Sequence, residues 1–268
     1  MPSLQDKVVF ITGASAGIGA ALARACTASG AHVALTARRA ERLRALADEI
    51  KAGGRSALAL AADVTRDGDL EVAAQAAVAE LGRIDVVIAN AGFSVSGNID
   101  KLTLADFRSQ FETNVFGVLR TIYATLPALK ASRGVLALVG SVSGYINPPG
   151  VGAYNMSKAA LISLAETLRL ELAPHGVAVT LISPGFVASE IRKVDNEGVY
   201  QEGRRDPAPP WLVMPAAQAA QQVVQAIVGR RREAVITWHG KLAAALGRHT
   251  PGLRGLILKR AARRVLPE

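Results

Sequence analysis

Tyr154 and Lys158 stand one helical turn apart, so a helix carrying them presents both on one face. A tyrosine hydroxyl ordinarily titrates near about 10 and is a poor acid or base at neutral pH. A nearby ammonium and an oxidised nicotinamide would stabilise the phenolate and lower that value. Ser141 closes the apolar run Gly134–Gly140, and its hydroxyl can hydrogen-bond a substrate oxygen as charge develops there. Taken singly, these are also a helix-face tyrosine, a solvated lysine and a strand-end serine. Taken together they describe acid–base work on a substrate oxygen.

A second group of residues suits a phosphate. Thr12-Gly13-Ala14-Ser15-Ala16-Gly17-Ile18-Gly19 follows an apolar run and opens an alanine-rich helical pattern. Glycines let the backbone turn sharply and approach a pyrophosphate, whose charge meets the free N–H groups of the helix N-terminus. The spacing G-x-x-x-G-x-G departs from the dinucleotide fingerprint G-x-G-x-x-G. At the end of the second apolar run, an NAD site carries an acid for the ribose hydroxyls. Here Arg38 and Arg39 stand there instead. An arginine fork fits a 2′-phosphate, which favours NADP(H), with Arg38 the first candidate. Arg39 also fits a simple helix start, paired with Glu41 or water. Asp63 and Val64 can offer an oxygen and an apolar wall to an adenine. Asn90, Ala91 and Gly92 close the fourth run. Gly92 permits close approach of a cofactor, and Asn90 fits equally a tie between neighbouring strands.

In order and spacing, Gly13/Gly17/Gly19, Asn90-Ala91-Gly92, Ser141, Tyr154-x-x-x-Lys158 and Pro184-Gly185 resemble the short-chain dehydrogenase/reductase family from about Lys7 to Ser189. The resemblance implies that Tyr154 exchanges the proton, Ser141 orients the carbonyl and Lys158 binds the ribose and tunes Tyr154. It also places a catalytic asparagine on Asn114, where it holds a helix distortion and a proton-carrying water. Pro184, Gly185, Val187 and Ser189 fall on its cofactor-binding positions. Ala89 and Ser189 depart from the pattern, which often has Asn and Thr there, and Ser189 keeps a hydroxyl. Homodimers or homotetramers through helices 104–131 and 154–173 are expected by analogy.

These residues need a scaffold. Strand-like runs at Lys7–Thr12, Ala31–Thr36, Ser56–Ala61, Ile84–Ala89, Gly134–Gly140 and Gly176–Ile182 alternate with helical patterns near 18–29, 40–52, 67–81, 104–131 and 154–173. Near-continuous apolar strands between helices predict an α/β class: one Rossmann-like domain with a doubly wound parallel sheet and helices on both faces. The catalytic domain is expected over 1–240, with a lid at about 188–215 rich in prolines and charges. A short strand, Ala234–Trp238, follows a helix near 216–229. Residues 241–268 are expected to form a basic amphipathic extension.

The 268 residues are half apolar, enough for one sizeable core. Their net charge of +9 is concentrated in residues 229–268, which hold ten Lys and Arg against Glu233 and Glu268. Thr250-Pro251 reads as a helix start. Leu253, Ile257, Ala261 and Val265 then recur at helical spacing among Arg254, Lys259, Arg260, Arg263 and Arg264. That pattern fits peripheral contact with an anionic membrane, or packing on the protein itself. Nucleic acid is not expected, since no reading motif accompanies the charge. The single Cys26 suits a reducing, cytoplasmic setting, and Met1–Asp6 leaves no room for a signal peptide. No run is long enough to cross a bilayer, and His32, His175, His239 and His249 lack ligand spacing for a metal.

The substrate pocket is expected from Phe93–Ser96, Gly144–Pro149 and the lid, through Ser94, Val95, Tyr145, Phe186 and Trp211. Apolar side chains dominate there, so a small apolar ketone or secondary alcohol is expected. Arg192, Lys193, Arg204 and Arg205 could instead meet an acidic head group. The sequence therefore predicts an NADP(H)-dependent carbonyl reductase or alcohol dehydrogenase. The alternatives are a lipid or steroid ketone reductase at a membrane surface and a non-catalytic NADP(H)-sensing protein.

Overall fold

The computed structural model describes residues 3–265, except the side chains of Pro251, Ile257 and residues 261–265. Seven strands form one parallel sheet: β1 Val8–Thr12, β2 His32–Ala37, β3 Ala57–Ala61, β4 Val86–Ala89, β5 Val135–Val139, β6 Ala178–Pro184 and β7 Glu233–Ile236. Their spatial order is β3-β2-β1-β4-β5-β6-β7. The order reverses direction between β1 and β4, and ligands bind at that point in such sheets, beyond the strands' C-terminal ends. β1 and β5 are buried along their whole length, which is why their runs are apolar without alternation.

Helices cover both faces. On one side lie α1 Gly17–Ala28, α2 Ala40–Ala52 and α8 Ala216–Val228. Leu43, Leu46, Ala47 and Ile50 of α2, spaced for one helical face, join Leu22, Cys26 and Val223 in that core layer. On the other lie α3 Asp69–Leu81, α4 Leu104–Phe111, α5 Gly117–Ser132 and α7 Gly152–Leu172. Ile122 and Leu129 of α5 and Leu161 and Ala165 of α7 pack there against Leu136 and Leu138 of β5. The short α6, Ser143–Ile146, leads from β5 to α7.

Strand and helix ends agree with the sequence expectations to within two residues, with one informative break. The single helix expected over 104–131 is two helices joined by a π-turn, Glu112–Phe116, which carries Asn114. A π-turn inserts a residue into the helix and shifts its facing register, and such turns cluster at functional sites.

The lid leaves and rejoins the body at one point. Val187 and Met214 form a parallel bridge. The Met214 N–H donates to the Phe186 carbonyl at 3.0 Å, and the Ala188 N–H donates to the Met214 carbonyl at 2.9 Å. After β7 the chain forms α9, Trp238–His249, and α10, Pro251–Val265. The expected boundary at residue 240 thus falls inside a helix. Of the predicted apolar stripe, only Leu253 lies among the described side chains, and it is exposed. The stripe residues Ile257, Ala261 and Val265, with Arg263 and Arg264, lie outside the described side chains.

Candidate active site

Parallel strands put all their C-terminal ends at one edge of the sheet, and each helix that follows starts there. Ser141, just past β5, and Tyr154 and Lys158, in the first two turns of α7, meet at that edge. Ser141 is buried, and its Oγ accepts the Ser143 N–H at 3.1 Å. Lys158 is 4% exposed, and its Nζ lies 5.6 Å from the centre of the Tyr154 ring. The ammonium donates to the Val139 carbonyl at 2.8 Å. Burial brings its pKa down to about 8. Burial raises the Tyr154 phenol, opposed by a hydrogen bond from Ser141 and the charge of Arg192. Without a cofactor, burial thus outweighs the groups that favour the Tyr154 phenolate.

Asn114 is completely buried in the π-turn. Its Oδ1 accepts the Phe93 N–H, and its Nδ2 donates to the Phe93 carbonyl and to Ser157 Oγ, each at 3.1 Å. One side chain thereby ties the segment after β4 to the helix that carries Tyr154. A Cβ on Gly92 would stand 3.1 Å from Asn114 Oδ1 and 3.7 Å from Lys158 Nζ, so a bare backbone is what lets them sit so close. Gln110, one turn earlier and also fully buried, carries no motif that would single it out. It accepts the Val95 N–H at 2.7 Å and donates to the Phe93 carbonyl at 2.9 Å.

The glycine loop has the form a dinucleotide pyrophosphate requires. A Cβ on Gly13 would approach the Ala91 backbone to 2.8 Å, and one on Gly19 would run into the Gly13 carbonyl. Helix α1, which contains Gly17, Ile18 and Gly19, begins with neither a side-chain cap nor an acid in its first turn, leaving its N–H groups to a ligand anion. Asn90 does tie the strands: its Nδ2 donates to the Thr12 carbonyl at 2.9 Å and to Gly13 at 3.2 Å. Thr12, overlooked in the sequence, accepts the Asn90 and Ala91 N–H groups on its Oγ1. Ser189 sits over the loop, since a Cβ on Gly17 would be 3.1 Å from it. Pro184 accepts the Val142 N–H at 3.1 Å, which fixes the Pro184-Gly185 turn beside Ser141.

The two arginines have separate tasks. Arg39 pairs with Glu190 of the lid at 2.8 Å and donates to Ser15 Oγ at 3.2 Å, so its expected partner Glu41 is replaced by Glu190. Arg38 is exposed and makes a single 3.4 Å contact, to the Gly198 carbonyl, without a carboxylate partner among the described residues. Asp63 Oδ1 is held by the Thr65 N–H and hydroxyl. Val64 is buried against Gly117 of α5, so its side chain belongs to the core and forms no open wall.

The expected pocket is redrawn. Val95 is fully buried in a small cluster with Phe93 and Ala153, beneath Val194 of the lid. Tyr145 points away from the pocket: its hydroxyl donates to Glu233 at 2.6 Å and meets Ser183 Oγ, and Arg248 lies over its ring. Trp211 is 76% exposed. Ser94 is half-buried beside Val95, and Phe186 is partly exposed against Arg192 and His239. Arg192 is paired with Asp206 at 2.6 Å, and Arg204 donates to the Val194 carbonyl, so neither is a free clamp for an acidic group. Asn196 of the lid exchanges two hydrogen bonds with the Ser96 backbone, drawing the lid across the cleft. No cluster fit to hold a metal occurs among the described residues.

Residues 7–199 match the family model described as short chain dehydrogenase. The chain is 34% identical over 240 residues to 11-beta-hydroxysteroid dehydrogenase 1A of Arabidopsis thaliana, covering 86% of this chain and 68% of that protein. Among solved structures it superposes on a short-chain dehydrogenase from Burkholderia cenocepacia J2315 in complex with NADP. There the TM-score is 0.77 and the identity 30%, over 89% of this chain and 99% of that one. It also superposes on a short-chain dehydrogenase/reductase from Burkholderia phymatum in complex with NAD, with TM-score 0.79 and 25% identity, over 99% and 96% of the two chains. Both nicotinamide cofactors occur among these neighbours, so the choice between them must come from this chain's own residues.

Proposed function

The chain belongs to the short-chain dehydrogenase family, and we propose that it is an NADP(H)-dependent oxidoreductase interconverting an apolar ketone and its secondary alcohol. The observation that carries this reading is Ser141, Tyr154, Lys158 and Asn114 gathered at one strand edge beside an uncapped helix N-terminus. The exposed Arg38, where an NAD site would carry an acid, supports the 2′-phosphate. When bound, the nicotinamide supplies or receives the hydride.

The chain's residues do the rest. The glycine loop and α1 hold the pyrophosphate, Arg38 binds the 2′-phosphate, and Pro184, Gly185, Val187 and Ser189 border the nicotinamide end. Ser141 orients the substrate oxygen. Tyr154, kept protonated by burial, donates its proton to that oxygen in reduction and takes it back in oxidation. Lys158 holds the ribose and offsets the phenolate formed in the turnover. Asn114 keeps the helix open at the π-turn for proton resupply. NADPH consumption, with NADH in parallel, across a panel of apolar ketones tests this, with Tyr154→Phe as control. Turnover that vanishes in the variant is expected. Tight NADPH binding with no turnover on any ketone would favour the sensing protein instead.

The proposal includes a homo-oligomer, supported by Phe116 and Tyr123 exposed on the π-turn and α5 and Met156 and Leu170 exposed on α7. A monomer in light scattering would refute it. It also includes a reducing, cytoplasmic setting, in keeping with the buried, unpaired Cys26.

A second reading, a lipid or steroid ketone reductase resting on an anionic membrane surface, is supported by the tail. Trp238, Leu242, Leu253 and Leu256 are exposed on α9 and α10 in the most basic part of the chain. The printed name of the Arabidopsis relative concerns a hydroxysteroid. No helix among the described residues is long and apolar enough to cross a membrane. Absence of cosedimentation with anionic vesicles at low salt would dispose of it.

A further inference from the structure

Thr237, between β7 and α9, has φ +78°, a left-handed conformation that a β-branched residue adopts only under constraint. It is 2% exposed, and its Oγ1 accepts the Gly240 N–H at 3.1 Å, capping α9. Its hydroxyl also lies 3.1 Å from His239 Nε2. That same Nε2 accepts the Phe186 N–H at 3.1 Å, across the turn that ends β6. Nε2 therefore carries no hydrogen, the Thr237 hydroxyl is the donor to it, and the imidazole is the Nδ1–H tautomer. A Cβ on Gly185 would collide with Thr237 Oγ1 and approach Nε2 to 2.6 Å. The turn and the helix start are thus fitted to each other without room for a methyl group.

We propose that His239 is a positioning residue: its neutral imidazole clamps the Gly185–Phe186 turn against α9 and holds it beside Ser141, and protonation releases the clamp. The part of this inference that concerns the cofactor rests on the function proposed above.

The chemistry follows from the tautomer. Nδ1 already bears its hydrogen, so an added proton has only Nε2 to go to. There the new Nε2–H would turn the Thr237 hydroxyl into its acceptor and leave the Phe186 N–H facing a donor, without the acceptor it had. Nδ1 is buried and has no partner among the described residues, so no acceptor there offsets an imidazolium. Burial accordingly holds the imidazole below its ordinary range. The charged groups on the packed elements do not reverse this. Arg192 lies 5.7 Å over the Phe186 ring and is paired with Asp206. Glu233 is taken by Tyr145 and Arg248, and on α9 itself Lys241 is exposed. The turn then acts on the site through the Pro184 carbonyl, which holds the Val142 N–H next to Ser141.

The sign is that of a base whose proton is disfavoured by the fold. The clamp is intact above the usual imidazole value of about 6.5 and is lost as the pH falls below it. The test compares wild type with His239→Gln, whose amide oxygen can accept the same N–H but does not titrate, and His239→Ala. Amide exchange of Phe186 reads the clamp without any ligand. Wild type should protect this N–H at pH 7.5 and lose about five- to tenfold of that protection, beyond the intrinsic rate change, by pH 5.5. His239→Gln should keep its protection at both pH values, and His239→Ala should have none at either. NADPH affinity reads the consequence. The ratio of dissociation constants, wild type over His239→Gln, should rise at least fivefold between pH 7.5 and 5.5. The 2′-phosphate's own ionisation near about pH 6 cancels in that ratio. A Phe186 N–H equally protected in all three proteins, or a constant ratio of dissociation constants, overturns the proposal. If wild type binds no nicotinamide cofactor, the function proposed above fails while the exchange measurement still decides the clamp.

Discussion

The Lys158 ammonium donates to the Val139 carbonyl at 2.8 Å, reaching from α7 to the strand whose end carries Ser141. A charge so placed has little water around it, and burial alone lowers its pKa to about 8. One lysine resonance should therefore titrate near 8 in a carbon-detected NMR titration of the free protein, well below the others, and vanish in Lys158→Met. The unfolded chain binds this proton more tightly than the folded one. Folding free energy should thus fall as the pH drops from about 10.4 to about 8, by up to about 3 kcal/mol. A Lys158 resonance titrating with the surface lysines would remove the electrostatic argument.

The contrast between Arg38 and Arg39 gives a test of cofactor choice. Arg39 is engaged by Glu190 and Ser15, whereas Arg38 has only the Gly198 carbonyl. Arg38→Ala should weaken NADPH by roughly 10- to 100-fold, about 1.5–3 kcal/mol for a charge-assisted contact, and leave NADH unchanged. Arg39→Ala should cost less. Equal losses for both cofactors, measured by fluorescence titration, would mean that Arg38 does not read the phosphate.

Asn114, itself fully buried, bonds both polar groups of the Phe93 backbone, sharing the carbonyl with Gln110. Asn114→Ala leaves them without that partner, and denaturant unfolding should show a loss of about 2 kcal/mol or more, together with lost turnover. Unchanged stability would mean that water or Gln110 takes over those groups.

Tyr145→Phe separates the pocket expected from sequence from the pocket the structure draws. The phenol hydroxyl is bonded to Glu233 and Ser183, away from the lid. Its removal should lower stability by about 1–2 kcal/mol and leave KM for apolar ketones within about twofold. A KM shift of tenfold would return Tyr145 to the substrate site.

Much of this molecule is legible in one dimension because its determinants are local. Strands covered on both faces must be continuously apolar, and a glycine loop between strand and helix needs no distant partner to be recognised. Tyr154 and Lys158 share a face by spacing alone. What escaped is what depends on three-dimensional neighbours. Val95 and Tyr145 are apolar or aromatic like true pocket residues, and only packing against Phe93 and Ala153, or a bond to Glu233, assigns them elsewhere. The break of one helix into α4, a π-turn and α5 leaves no mark in periodicity, since a single inserted residue shifts the phase without erasing it, and only the family resemblance at Asn114 pointed to a distortion there. His239 lacks metal-ligand spacing, and its hydrogen bond to a residue 53 positions away leaves no local signal.

The bridge between Val187 and Met214 has a consequence for how such a protein can change. Because both feet of the lid stand on one spot, its contents can be exchanged without altering the path of the chain through the sheet. A lid taken from a relative could be spliced between these two residues, and the parallel core would receive the same ends at the same distance. Under the function proposed above, substrate preference would therefore be modular, open to divergence while the sheet beneath stays as it is.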